Sequence, residues 1–440
     1  MSTDVGLASE RPVSERDVSA GRVLLVAGAV VAAVAAVAYI AALATHPVTS
    51  LLKGFDLAVY LGGAEQALYH PAHLYAWTYQ GHPGIKFTYT PFAALVFSLG
   101  RALPFRALVA LVAVVSVFSL LATVWIAFRE LGWRSLASRA GATLLLGGVA
   151  FWSEPVQRGL YLGQVELALM AVVVWDLTQD DRRWWKGAAT GLAAGIKIVP
   201  GLFIVYLLVT RRFKQAFVAA GVFAVSVGIG FAVLPRPSVP FWLEGDFFVA
   251  SRTGFVGSQQ NQSLRGLLDR LAGSVNGSMV PWLVVAVVVV AVGLAAAAVL
   301  HHAGYAFAGL MVCGLVAQLA SPISWDHHWV WVIPGVAVLA DAAVRGAARA
   351  WWWALAGALL VVYGAWPDFW SPSAGVLQGG LISYAPTSAF ESGDSPAYAE
   401  YHWHGLQLIA GNLYVLAGMG VFVVVLVVAW AVARRHRIRL

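Results

Sequence analysis

Apolar runs of about twenty residues recur along almost the whole chain, and no other feature narrows its possible folds so far. A run of that length crosses a hydrocarbon layer as one helix, whose backbone satisfies its own hydrogen bonds where no water is at hand. Of the 440 residues, 60% are hydrophobic and only 11% charged, whereas a soluble domain is about a quarter charged. The chain therefore reads as an all-α, polytopic integral membrane protein. The formal net charge of +7 does not indicate a nucleic-acid partner, because the basic residues sit at the ends of apolar runs. The single cysteine, Cys313, excludes an intrachain disulfide.

Residues 1–21 are polar and form a tail. The run Val23 to Ala44 is too long for a signal-peptide core of roughly 7–15 residues and is expected to be a retained span. Further spans are expected near 106–128, 139–153, 161–178, 216–234, 279–300, 304–320, 329–345, 350–366 and 411–433. Segment 88–103 is short. Segment 187–210 carries Lys197 and Pro200 at its middle, and proline removes a backbone donor, so a broken helix is expected there. The total is ten to twelve crossings.

Positive charge orients the chain. The C-terminal "RRHRIRL" and the linkers "RGAAR" (345–349) and "RRFK" (211–214) fall on the cytoplasmic side. Segments 46–87, 237–278, 321–328 and 367–405 then face outward. Two more basic linkers, "RELGWRSLASR" and "DDRRWWK", also look cytoplasmic, which requires each short segment to cross as paired half-helices or not at all. No internal repeat and no soluble domain is visible.

The unusual polar residues gather on the outward side. Asp56 follows the first span and reads either as a helix cap or as an acid held at membrane level. Lys197 is an ionisable group in an apolar segment, a functional candidate unless it snorkels to the interface. "SPISWDHHWVW" (321–331) carries Asp326, His327 and His328 among three tryptophans. Adjacent histidines do not face one way on a helix, and there is no H-E-x-x-H and no D-x-D, so no metal or other cofactor is expected. "NQSLR" offers Asn261, Gln262 and Arg265 for hydroxyl and phosphate recognition. "SEPVQRGLYLGQVE" adds Glu154, Gln157, Arg158, Gln164 and Glu166, which equally suit a loop with helix caps.

The stretches "GFDLAVY", "FTYTPF", "YLGQVELALM", "GLAAGIKIVPGLF", "NQSLRGLL" and "SPISWDHHWVW" occur here in the order seen in glycosyltransferase family 87, and the chain resembles that family from about residue 50 to 345. These are polytopic actinobacterial enzymes of the GT-C superfamily. "GIKIVP" is also similar to the lysine–proline element of GPI mannosyltransferases of the same superfamily.

The resemblance implies a GT-C transmembrane catalytic module at 22–366, beside which composition and charge set a polar tail at 1–21, an external loop at 367–405 outside the match, and a last span with a basic tail at 406–440. It also implies an α-(1→2)-mannosyltransferase that takes mannose from polyprenyl-phosphate-mannose on the outer face of the plasma membrane. The acceptor would be a phosphatidylinositol mannoside, or alternatively the mannan of lipomannan and lipoarabinomannan. Decaprenyl-phosphate-arabinofuranose is an alternative donor, and a lipid-linked-substrate transporter the alternative from another class.

The family's proposed base falls on Asp56. The donor is β-linked and the product α, so a single displacement needs one base, and a lipid-phosphate leaving group needs cations. The candidates for that role are Lys197, Arg265, His327 and His328, with Asn261, Gln262, Arg158, Gln164 and Tyr60 as further substrate contacts. In "YAEYHWHG", Tyr398, Tyr401, His402, Trp403 and His404 are candidate acceptor contacts.

Overall fold

The computed structural model describes residues 15–81, 85–274, 278–346, 348–366, 379–388, 395 and 397–436. Most of the expected tail 1–21, much of the expected loop 367–405 and the end of "RRHRIRL" lie outside these residues. Among the described residues the protein is all-α. No strand forms, and the sheet-like pairing is limited to isolated bridges such as Asn261 with Trp325.

Among the described residues, six helices are long and apolar enough to cross a membrane: Ser19–Thr45, Phe105–Glu130, Phe213–Val233, Met279–His302, Asp326–Arg345 and Leu413–Arg435. Five shorter apolar helices, among them Leu136–Phe151, Ala306–Ala320 and Arg349–Val362, fill the places between them. Glu154–Leu162 and Glu166–Leu177 form a bent pair with an angle of 115°. The chain is therefore a multi-pass membrane protein, as its composition requires.

Phe105–Glu130 shows why such segments are helices. Pro104 precedes its first turn, where a missing N–H costs nothing. Its run is apolar all round, so one face (Leu108, Leu120 and Val124) packs inward while Val114 and Phe118 face away from the protein. Gly132, with φ 79°, ends it.

The two segments expected to be short or broken meet. Thr90 caps Pro91–Ser98, its Oγ1 accepting from the Ala93 N–H at 3.0 Å and donating to the Gly195 carbonyl at 2.5 Å. Gly195 lies in the last turn of a helix, Ala188–Ile196, beyond which Lys197 is extended (φ −134°, ψ 129°). A 3-10 turn at Val199–Gly201 and a second helix, Leu202–Val209, follow. The break lies at Lys197, just before the proline, as expected.

Two local expectations are corrected. Asp56 is not the cap of its helix. Gly54, at φ 67°, holds that position, and Asp56 is the second residue of Phe55–Tyr69. The span expected at 161–178 begins only at Glu166, because Gly163 at φ 73° ends the preceding helix in the left-handed conformation.

Candidate active site

Gly163 is where the site is built. A side chain there would meet the Leu57 Cβ at 3.0 Å and the Gly54 Cα at 3.2 Å. Glycine lets the bend close against the start of the Asp56 helix, and the Gly54 N–H donates to the Tyr161 carbonyl at 2.8 Å. This contact carries Gln164 onto Asp56. The Gln164 Nε2 donates to the Asp56 Oδ2, and its Oε1 accepts from the Tyr60 hydroxyl at 2.5 Å. The Tyr60 and Tyr89 hydroxyls lie 3.0 Å apart. Asp56, Gln164 and Tyr60 are thus one hydrogen-bonded unit drawn from positions more than a hundred residues apart in sequence.

Asp56 remains partly accessible, but protein closes around its carboxylate. Burial pushes its pKa up to about 6; His327 and Arg158 nearby work against that shift, and Glu166 adds to it. Asp56 lies outside the candidate spans.

Beyond the bend, Glu166 opens the next helix and meets the broken segment. The Lys197 ammonium donates to the Glu166 Oε1 and to the His328 Nε2, the latter at 3.0 Å. An ammonium has no acceptor capacity, so His328 accepts through Nε2 and carries its proton on Nδ1. Lys197 also lies over the Tyr89 ring, 5.6 Å from its centroid. The lysine is held among polar partners instead of snorkelling.

His327 and His328 sit on a 3-10 turn, Asp326–Trp331, with their rings 4.6 Å apart at 89°. The argument that adjacent histidines cannot converge is corrected here, because the tighter turn and crossed rings bring both to Glu166. One ligand atom from each of Glu166, His327 and His328 lies within 4.8 Å of the others. These residues could hold a metal ion only if Lys197 withdrew, since its ammonium already bonds the Glu166 oxygen and the His328 nitrogen. The Asp326 Oδ1 accepts from the His327 Nδ1 at 3.0 Å, and the Asp326 Oδ2 faces the Arg158 Nε at 3.9 Å.

The structure therefore gathers Asp56, Tyr60, Arg158, Gln164, Lys197, His327 and His328. It does not bring Asn261, Gln262 and Arg265 to them as contacts. The Asn261 Nδ2 donates to the Val256 and Pro322 carbonyls, and its Oδ1 accepts from the Ser263 and Ser324 N–H groups. The Gln262 Nε2 donates to the Gln259 and Gly411 carbonyls. Both amides spend their capacity on backbone, Asn261 tying its segment to 322–324 and Gln262 tying it to 411–415. Arg265 is buried against Asp269, Met279 and the Trp282 ring.

The expected acceptor contacts also go elsewhere. Tyr398 and Tyr401 pack on Phe255, and Trp403 donates to the Pro386 carbonyl under Arg270. His402 and His404 are exposed. Glu166, Tyr89 and Asp326 also belong to the site, Glu166 although its stretch equally suited a loop with helix caps. An apolar cavity of about 200 Å³, lined by Trp152, Ile333, Tyr363 and Trp366 among others, lies apart from these groups.

A family model described as glycosyltransferase family 87 matches residues 87–322. The chain is 33% identical over 371 residues to a polyprenol-phosphate-mannose-dependent alpha-(1-2)-phosphatidylinositol pentamannoside mannosyltransferase of Mycolicibacterium smegmatis, covering 82% of this chain and 83% of that protein. It is 31% identical to the protein of the same description from Mycobacterium tuberculosis strain CDC 1551, covering 82% and 80%. A phosphatidylinositol mannoside mannosyltransferase of M. tuberculosis strain H37Rv is 28% identical, covering 58% and 62%. No solved structure matches.

Proposed function

The chain belongs to glycosyltransferase family 87, and from that premise we propose that it moves mannose from polyprenyl-phosphate-mannose to the 2-hydroxyl of a phosphatidylinositol mannoside, at the outer face of the plasma membrane. It is a membrane glycosyltransferase. The observation that carries the finer reading is the pairing of a base poised near neutrality with a bound cation. Asp56 has a pKa of about 6, and Lys197 is fixed between Glu166 and His328.

The acceptor oxygen attacks the anomeric carbon, and its proton passes to Asp56. A base with a pKa near the working pH is both ionised and basic enough for this transfer. The bond from the anomeric carbon to the phosphate oxygen breaks, and its electron pair leaves with the lipid phosphate. Lys197, Arg158 and His327 are positioned to take up that charge, supported by their protein partners and so needing little rearrangement during reaction. Gln164 and Tyr60 hold Asp56 in place. With a β-linked donor, as the family resemblance implies, one displacement gives the α product. Two of the matched relatives are pentamannoside mannosyltransferases by description, so that acceptor is the first to try.

The test uses purified protein, radiolabelled polyprenyl-phosphate-mannose and a phosphatidylinositol mannoside acceptor. Wild type is expected to transfer mannose and a folded Asp56→Asn to lose about 10²–10⁴ in rate. An unimpaired Asp56→Asn would return Asp56 to a structural role. A folded wild type without mannose transfer would overturn the proposed donor.

A further inference from the structure

Two adjacent histidines enter the site on different terms. The His328 Nε2 is used by Lys197. The His327 Nε2 is buried and has no hydrogen-bond partner among the described residues, an arrangement costly to maintain unless something else meets it. Its ring shares the cluster formed with Glu166 and His328. The opposite nitrogen, Nδ1, donates to the Asp326 Oδ1 at 3.0 Å, and the same oxygen accepts the His327 backbone N–H at 2.7 Å.

One carboxylate oxygen therefore grips both the backbone and the ring of His327. This fixes the ring's orientation and reserves Nδ1 for the protein, which decides that Nε2 is the nitrogen presented. Asp326 is itself anchored. It is only 3% exposed, and its N–H donates to the Gln260 carbonyl at 2.8 Å. Its neighbour Trp325 bridges to Asn261. Glu154 lies behind it, held by the Tyr414 hydroxyl at 3.1 Å. The side-chain amide of Asn261, with the Gln262 backbone N–H on the Ser324 carbonyl, thus serves to hold the strap that carries Asp326.

We propose that Asp326 is a positioning residue for transfer: it holds the His327 ring through Nδ1–H so that the ring, as an imidazolium, donates its Nε2–H to the donor phosphate, and it acts on the reaction through that ring. This rests on the phosphate-contact role given to His327 above. Asp326 also bonds a backbone N–H, so a merely structural role is the rival, and the two differ in one respect. A structural defect would persist whatever side chain stands at 327, whereas an effect carried by the ring disappears with the ring.

The test is a double-mutant cycle of Asp326→Asn and His327→Gln, with folding checked by thermal unfolding in detergent. It is read twice, as kcat/KM for transfer and as the affinity for a short-chain polyprenyl phosphate. Asp326→Asn is expected to lower both about 10–100-fold beside His327, and no more than about twofold in the His327→Gln background. Equal losses in both backgrounds would overturn the proposal. Should Asp326→Asn not fold, Asp326→Ser, which keeps an acceptor for the backbone N–H, takes its place in the cycle. If wild type transfers no mannose yet the affinity cycle is coupled, the proposed reaction fails and the role of Asp326 stands. Additive affinities would remove that role whether or not transfer occurs.

Discussion

Asp56 carries its charge against its surroundings, and that has consequences for both rate and stability. Its pKa is raised from 3.8 to about 6 chiefly by burial. As the base it must be ionised, so kcat/KM is expected to fall about tenfold per pH unit below about pH 6 and to level off above. A rate profile flat down to about pH 4.5 would remove Asp56 from that role. The sign for stability is opposite to that of a salt-bridged aspartate. The folded state binds this proton more tightly than the unfolded chain, so the contribution is full below pH 3.8 and is lost as pH rises through about 6. Asp56→Asn is therefore expected to unfold at a higher temperature than wild type at about pH 7.5, with the advantage gone at about pH 4. Lys197 answers to charge and shape together. Lys197→Met leaves Glu166 without its cation and is expected to lower kcat/KM about 10²–10³-fold. Lys197→Arg is expected to rescue little, because a planar fork does not fit a point-charge site; initial rates against donor concentration decide both.

The elements that make the site are its irregular ones: a bend at Gly163, a break at Lys197 and a 3-10 turn at Asp326. Gly163→Ala tests the first. It adds a left-handed penalty of about 1–2 kcal/mol and a methyl 3.0 Å from the Leu57 Cβ. Gly81→Ala, at φ 75° with nothing within 4 Å, adds only the penalty. Gly163→Ala is expected to lower the unfolding temperature more than Gly81→Ala and, by displacing Gln164, to lower kcat as well. Equal effects would mean the close approach at 163 carries no function. The break was legible in the sequence because Pro200 and an apolar-embedded Lys197 each announce it. The bend was not, since "YLGQVE" reads as the first turn of a span until the chain's approach to Gly54 is known. Asn261, Gln262 and Arg265 misled for a related reason. Amides and arginines recognise backbone carbonyls and substrates with the same atoms, and only three-dimensional placement tells which they meet.

At the scale of the molecule, the site is made where helices begin or break, and the side of the membrane it faces is open to direct test. The single cysteine, Cys313, is buried and should resist labelling in the native protein. In a Cys313→Ala background, a cysteine at exposed Lys53 is expected to react with a membrane-impermeant maleimide on intact cells. A cysteine at exposed Arg183 is expected to react only after permeabilisation. The reverse pattern would turn the proposed site inward. The first helix stands apart in how it is held. Glu15–Thr45 packs chiefly along Leu136–Phe151, and the seam needs small residues, because a side chain on Gly28 would meet the Gly141 carbonyl oxygen at 2.2 Å and one on Gly148 the Ala32 backbone at 3.1 Å. Its partner is made some ninety residues later. At about 5–20 residues per second, the first helix waits several seconds in the bilayer before its seat exists. Its own hydropathy must keep it there, which makes the seam a late lock on a helix already in place and leaves membrane insertion independent of the glycines that close it.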